Sequence, residues 1–148
     1  MKALLFVLLT ASSLSTSLSA QTERETDISD FKWKNRVLLI FSPNSTHTNF
    51  NSTLRMIKDH QEGFEEKDLV FYEIIENSGN YDSDHLLRDE DATKLRDRFN
   101  IDPSEFRIIL TGKDGGSKYK SDEFIRHKKL FEIIDEMPMR RLEMKEDG

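Results

Sequence analysis

Val37-Leu38-Leu39-Ile40-Phe41 is a continuous apolar run of strand length. A run without polar alternation suits a strand covered on both faces, as in a sheet held between helices. It stops at the polar cluster Ser42-Pro43-Asn44-Ser45-Thr46. Phe50, Leu54, Ile57 and Phe64 then recur at near-helical spacing, with Arg55, Lys58, Asp59 and Glu62 between them. This pattern predicts a helix from about Asn51, capped by Asn51 or Ser52 and ended near Gly63. Leu69-Val70-Phe71-Tyr72-Glu73-Ile74-Ile75 is rich in β-formers and reads as a second strand, followed by a polar loop over 76–84. Asp89-Glu90-Asp91 favours a helix N-terminus through the macrodipole, and Ala92, Leu95 and Phe99 line one side of that helix. Residues 100–103 end it, and 106–110 form a third strand. Lys113-Asp114-Gly115-Gly116 has hairpin composition, because Asp-Gly supplies positive φ angles, and 117–120 is the returning strand. A last helix is predicted over 122–137, burying Phe124, Leu130, Phe131, Ile134 and Met137, with Pro138 ending or kinking it. Upstream, the alternating aromatics Phe31 and Trp33 are placed to cover one side of the domain.

The order β-α-β-α-β-β-α describes a thioredoxin-like three-layer α/β sandwich in a single domain. The expected bounds are 31–144 for that domain, 21–30 for a flexible polar arm and 145–148 for a charged tail. Residues 1–20 read as a secretory signal peptide: Lys2, an apolar run over 3–9, then Ser- and Ala-rich sequence to Ser19-Ala20. The run is too short to span a bilayer. Cleavage is expected after Ala20 or, alternatively, after Ser19, leaving an exported protein of the periplasm or the extracellular space.

Charge narrows the partners. The chain carries 22 Lys and Arg against 28 Asp and Glu, a net of −6. Residues 21–110 hold 12 basic against 19 acidic residues, whereas 111–145 hold 9 against 7. An acidic body is a poor match for nucleic acid, which needs a basic footprint. There is no cysteine. Thiol–disulfide exchange and cysteine peroxidase chemistry both need a thiolate nucleophile, so this chain performs neither.

Non-thiol chemistry has few footholds. Ser42, Asn44, Ser45, Thr46 and His47 fill the loop where thioredoxin relatives place a reactive cysteine. A serine beside a histidine invites a hydrolase reading, but a triad also needs an orienting acid and an oxyanion hole. No Gly-x-Ser-x-Gly elbow is present. Asn44-Ser45-Thr46 and Asn51-Ser52-Thr53 are glycosylation sequons, relevant only in a eukaryotic secretory route. Glu105 stands about where a thioredoxin has its cis-proline, with Pro103 two positions early. His47, His60, His85 and His127 form no paired metal motif, the acidic clusters 82–84 and 89–91 lack an EF-hand pattern, and Gly112-Lys113-Asp114-Gly115-Gly116 lacks Walker spacing. Neither a metal nor a cofactor is expected.

Leu110-Thr111-Gly112-Lys113-Asp114-Gly115-Gly116-Ser117-Lys118 and Ile134-Asp135-Glu136-Met137-Pro138-Met139-Arg140-Arg141-Leu142-Glu143-Met144 closely resemble a family sometimes called DUDES. It includes Equarin, the sushi-repeat matrix proteins and short bacterial secreted members. Phe31-Lys32-Trp33-Lys34-Asn35-Arg36-Val37-Leu38-Leu39 is similar to the opening of that domain. The family's Gly-Gly-x-Lys-x-Arg signature is matched by Gly115, Gly116 and Lys118, but Lys120 stands where an Arg is usual. Lysine offers a point charge in place of a planar fork, which weakens bidentate anion recognition. The resemblance implies a peroxiredoxin-like thioredoxin fold and secretion, and no settled activity.

The sequence therefore reads as an exported, redox-inactive binding module. Its candidate binding residues are Gly115, Gly116, Lys118, Lys120, Arg140 and Arg141. Lys118 and Lys120, two apart on a strand, share a face. Arg140 and Arg141 join them if the final helix returns across the sheet. The ligand would be an anionic protein, glycan or small molecule; the plainer account is a charged edge that discourages strand-to-strand aggregation. The alternative function is an enzyme with non-cysteine chemistry in the Ser42–His47 loop, which requires His47 within reach of a serine and a carboxylate.

Overall fold

In the computed structural model, which describes residues 27–77, 84–87 and 89–148, β1 (Arg36–Asn44) runs through the middle of a four-stranded sheet. β2 (Leu69–Asn77) lies parallel on one side of it, and β3 (Arg107–Thr111) antiparallel on the other. β4 (Ser117–Ser121) pairs antiparallel with β3 at the edge. Alternate residues of β1 serve opposite faces. Leu38 and Ile40 pack with Ile108 and Leu110 beneath α1 (Thr48–Asp59), α2 (Gln61–Glu66) and α4 (His127–Asp135). Val37, Leu39 and Phe41 pack with Ile74 and Ile109 against α3 (Asp89–Phe99) and a short 3-10 helix, Ile28–Phe31. All five apolar residues of the run are buried, each stabilising the fold by about 1.5–3 kcal/mol. The three-layer expectation holds.

Several local expectations are corrected. α1 begins at Thr48 because Asn51 is no cap: its amide donates to the carbonyls of Ser45 and His47, both at 3.2 Å, and so ties the loop to the first turn. The helix stops at His60, and Gly63 lies inside α2. A Cβ at position 63 would stand 2.5 Å from Cε2 of Phe131, so the glycine is where the Phe131 ring lands. α4 starts only at His127, because Ser121 and Glu123 close a turn, with the Ser121 hydroxyl donating to the Glu123 carbonyl at 3.0 Å.

Pro138, expected to end or kink the last helix, opens a further one, α5 (Pro138–Glu146), which takes in the first two residues of the expected tail. Proline suits a first helical turn, where no amide hydrogen is needed. Trp33 is 62% exposed and packs on neither core cluster, whereas Phe31 does pack on the core. Residues 28–30 belong to the 3-10 helix, which Asp27 caps by accepting from the Ser29 amide at 2.9 Å; they are not part of a flexible arm. The expected signal peptide, most of the arm and the 82–83 part of the acidic cluster lie outside the described residues. Among the described residues, no helix is long and apolar enough to cross a membrane.

Candidate functional site

Two ends of the sheet compete for the role. At the C-terminal end of β1, the Ser42–His47 loop satisfies itself. The buried Ser42 hydroxyl donates to the Asn44 carbonyl at 2.7 Å, and the Asn44 side chain accepts from the Thr46 amide and hydroxyl at 3.0 and 2.9 Å. The His47 ring stacks on Phe106, centroids 5.2 Å apart and nearly parallel. Its Nδ1 has no hydrogen-bond partner, so neither a serine nor a carboxylate is aligned on that nitrogen. Glu105 closes a separate turn by accepting from the Asp102 amide at 3.3 Å. Among the described residues, no hydrogen bond joins the His47 ring to a serine or a carboxylate.

At the opposite end, the β3–β4 turn is a self-contained device. Gly115 has φ +80°, a left-handed conformation that glycine adopts without strain. Asp114 accepts from the Gly116 amide at 3.0 Å and from Lys118 Nζ at 2.8 Å. The Lys118 stem lies across Gly112, where a Cβ would meet it at 2.6 Å. These bonds hold the Asp114 carboxyl below its ordinary value, the lysine contact first and the Gly116 amide second. The Gly-Lys-Asp-Gly-Gly-x-Lys pattern is thus explained residue by residue as turn architecture.

Beside the turn, ion pairs join five segments. Arg36, fully buried at the start of β1, donates to the Lys67 carbonyl at 2.8 Å and to both oxygens of Glu143 at 3.2 Å. Lys113 bridges Asp68 and Glu143, each at 2.7 Å. Lys67 reaches Asp135 at 3.1 Å, and Arg140 holds both Asp135 and Glu66. Burial opposes the charge on Lys113, yet Asp68 and Glu143 carry its pKa above the ordinary value. Burial likewise opposes ionisation of Glu143, yet Lys113 and Arg36 hold it below its usual range. Four cations and four carboxylates balance, so this network offers no net charge to a ligand.

The three stretches that resemblance singled out, around 31–39, 110–118 and 134–144, all meet at this end. One groove of about 90 Å³ runs between Arg36, the hairpin at Gly112 and Lys118, and Met137-Pro138-Met139. A family model described as a domain of unknown function, DUF4174, matches residues 27–143. The chain belongs to the DUF4174 family. No curated protein matches it by sequence. Solved structures supply the fold. A reduced 2-Cys peroxiredoxin from Plasmodium vivax is similar at 16% identity and TM-score 0.60, over 79% of this chain and 72% of that one. A thiol:disulfide interchange protein from Bacteroides sp. is 16% identical at TM-score 0.53, over 74% and 76%. The thioredoxin domain of a thiol-disulfide oxidoreductase from Bacteroides vulgatus is 17% identical at TM-score 0.52, over 73% and 81%. This DUF4174 chain has their thioredoxin fold without a thiol.

The expected basic patch divides in this DUF4174 structure. Gly115, Gly116 and Lys118 share the hairpin, but Lys118 is spent on Asp114. Arg140 is buried and pairs with Asp135 and Glu66, as part of the ion network. Arg141 stands exposed on α5. Lys120 lies with its Nζ 6.0 Å from the Phe99 ring, over which Arg98 also sits at 5.2 Å.

The sequence reading missed Arg36, Lys67 and Glu143 as anchors, and Lys32 and Arg98 as exposed cations. A charged residue opening an apolar strand, as Arg36 does, was the available signal, since a charge there must be paired when buried. Among the described residues, no cluster of three or more His, Asp or Glu is placed to hold a metal ion.

Proposed function

We propose that this DUF4174 protein is an exported binding module that engages its partner at the N-terminal end of β1. The carrying observation is the convergence there of the 31–39, 110–118 and 134–144 stretches around an exposed tryptophan. Trp33 sits at φ 67°, a left-handed conformation that a bulky residue rarely adopts, and its amide donates to the Lys113 carbonyl at 2.6 Å. A large ring held open to solvent by a strained, bonded backbone fits a contact residue better than a packing residue. The likeness to Equarin and the sushi-repeat matrix proteins supports a binding role, and the Lys2–Ala20 segment supports export.

The test uses photocrosslinking residues at position 33 and, separately, at position 46 of the exported protein in its native cells. Binding at this end predicts a discrete crosslinked partner from position 33, absent from position 46. Excess unlabelled protein should compete for it, and Trp33→Ala protein should not. A partner captured only from position 46 would place the interaction at the other end and overturn this reading.

A further inference from the structure

A second groove, of about 200 Å³, opens between the 3-10 helix, the start of β1, the end of α3 and the β3–β4 turn. Ile28, Phe31 and Val37 give it an apolar lining, and Lys32 and Arg98 stand at its margin. These two cations differ from those of the ion network and the hairpin. Arg36, Lys67, Lys113, Lys118 and Arg140 are each within ion-pair distance of a carboxylate. Among the described residues, Lys32 and Arg98 are not: Lys32 lies 5.4 Å from the Trp33 ring and Arg98 rests on Phe99. The Asp114 carboxylate lines the groove but is occupied by Lys118 and the Gly116 amide. Asp27, which feels the Arg98 charge, is bound by the Ser29 amide.

We propose that this groove, with Trp33 beside it, docks an acidic polypeptide segment that carries an apolar side chain. This rests on the binding reading above and names the partner's chemistry. Unpaired cations over an apolar floor are complementary to a carboxylate flanking an apolar anchor, and Trp and Arg are the residues most enriched where binding energy concentrates. Lys34 is exposed beside Trp33, and Lys120 shares the Phe99 ring with Arg98, so both extend the positive rim. A dense polyanion such as a sulfated glycan fits less well. Asp27, Asp30 and Asp114 interrupt the positive surface, and the chain's net charge of −6 repels a high charge density at long range.

Trp33 is the only tryptophan, so its fluorescence reports on this surface directly. The probes are a fluorescein-labelled peptide with one phenylalanine between glutamates, its alanine-for-phenylalanine and lysine-for-glutamate versions, and a heparin fragment. The acidic phenylalanine peptide should shift Trp33 emission and bind at least about tenfold tighter than either altered peptide. Lys32→Glu with Arg98→Glu should lose at least about tenfold in affinity with an unchanged unfolding midpoint, and Lys32→Gln with Arg98→Gln replaces that variant if it fails to fold. Trp33→Ala, followed by anisotropy, should also lose binding. Equal binding of the alanine peptide, tighter binding of heparin, or no peptide binding would overturn the proposal. If position 33 still crosslinks a discrete partner after that failure, the acidic-segment assignment alone is wrong. If neither experiment responds, binding at this end is wrong as well.

Discussion

At the C-terminal end of β1, the polar loop is held by bonds between residues two to six positions apart; at the N-terminal end, Arg36 reaches residues 31 and 107 positions away. The first end is where thioredoxin relatives carry a reactive cysteine, and here it is a short polar turn closed by Asn44 and Asn51. The second end joins β1, the α2–β2 turn, the β3–β4 hairpin, α4 and α5 through buried charge. Local bonds hold a turn in shape but couple nothing distant. Long-range ion pairs make the geometry of one segment depend on all the others. A surface built on the second end is therefore preorganised by the whole fold, which is what a docking site needs to limit its ordering cost.

Removing one partner from each end should expose that difference most strongly. Arg36→Met leaves Glu143 and the Lys67 carbonyl without their buried donor and should cost about 3–5 kcal/mol in chemical denaturation. Thr46→Ala removes only an exposed bond within the loop and should cost no more than about 1 kcal/mol. Similar losses for both would mean that the ion network does not hold the ends unequally.

The same contrast explains what was legible beforehand. The sheet and the three-layer packing rest on apolar side chains, so the run at 37–41 and the stripe Leu130, Ile134, Met137 announced them. α5 rests on Arg140 and Glu143, which turn inward to other charges. A helix anchored by ions has no apolar stripe, and its sequence reads as a solvated tail. The break at His60 was hidden for a related reason: Gly63 looked like a stop, and its role as a landing place for Phe131 depends on a residue far along the chain. The hairpin was readable because its rules are local, yet the pairing of Lys118 with Asp114 was not. Trp33 looked like core because aromatics usually are; its exposure follows from a backbone conformation that no hydrophobic pattern records.

Phe131 tests packing in place of charge. It is half-buried, edge-on to Phe64 with ring centroids 5.8 Å apart, and it covers Gly63. Phe131→Ala should therefore cost about 2–3 kcal/mol, below the 3–5 of a fully buried ring. Gly63→Ala forces a methyl group into that ring and should cost about 1–3 kcal/mol. Combining Gly63→Ala with Phe131→Leu should cost less than the sum of the two single changes, because the shorter side chain vacates the contested space. Strict additivity in urea denaturation would show that residue 63 and the ring do not touch.

Glu143 gives the network a pH signature. Its folded pKa is depressed below 4.5, so its contribution is present above that value and is lost as pH falls through the folded one. Lys113 has a raised folded pKa, above 10.5, so its contribution is present below that value and is lost as pH rises through the folded one. Glu143→Gln should lower the unfolding midpoint between these limits, by about 1–3 kcal/mol of stability near neutrality. The gap to the parent protein should close as pH falls below 4.5 through the depressed folded value, where the parent's carboxylate protonates. A gap unchanged in acid would mean that Glu143 acts by shape and not by charge.

The smallest effect concerns a site away from both ends. His60, at the α1–α2 corner, stacks on His127, the first residue of α4, with ring centroids 3.6 Å apart. Desolvation first, then His60 and Lys128, hold the His127 pKa below its ordinary 6.5. A cation at the start of α4 also opposes the helix dipole. The folded state thus prefers neutral His127. Stability should be flat above about pH 6.5 and decline as pH falls from 6.5 towards the depressed folded value, where the unfolded chain binds the proton more readily. His127→Phe keeps the stack and removes the titration, so it should flatten this limb while leaving the Glu143 limb below pH 4.5 in place. Thermal unfolding of both proteins from pH 8 to pH 5 checks this, and an identical slope in the two would show that the paired rings carry no proton-linked strain.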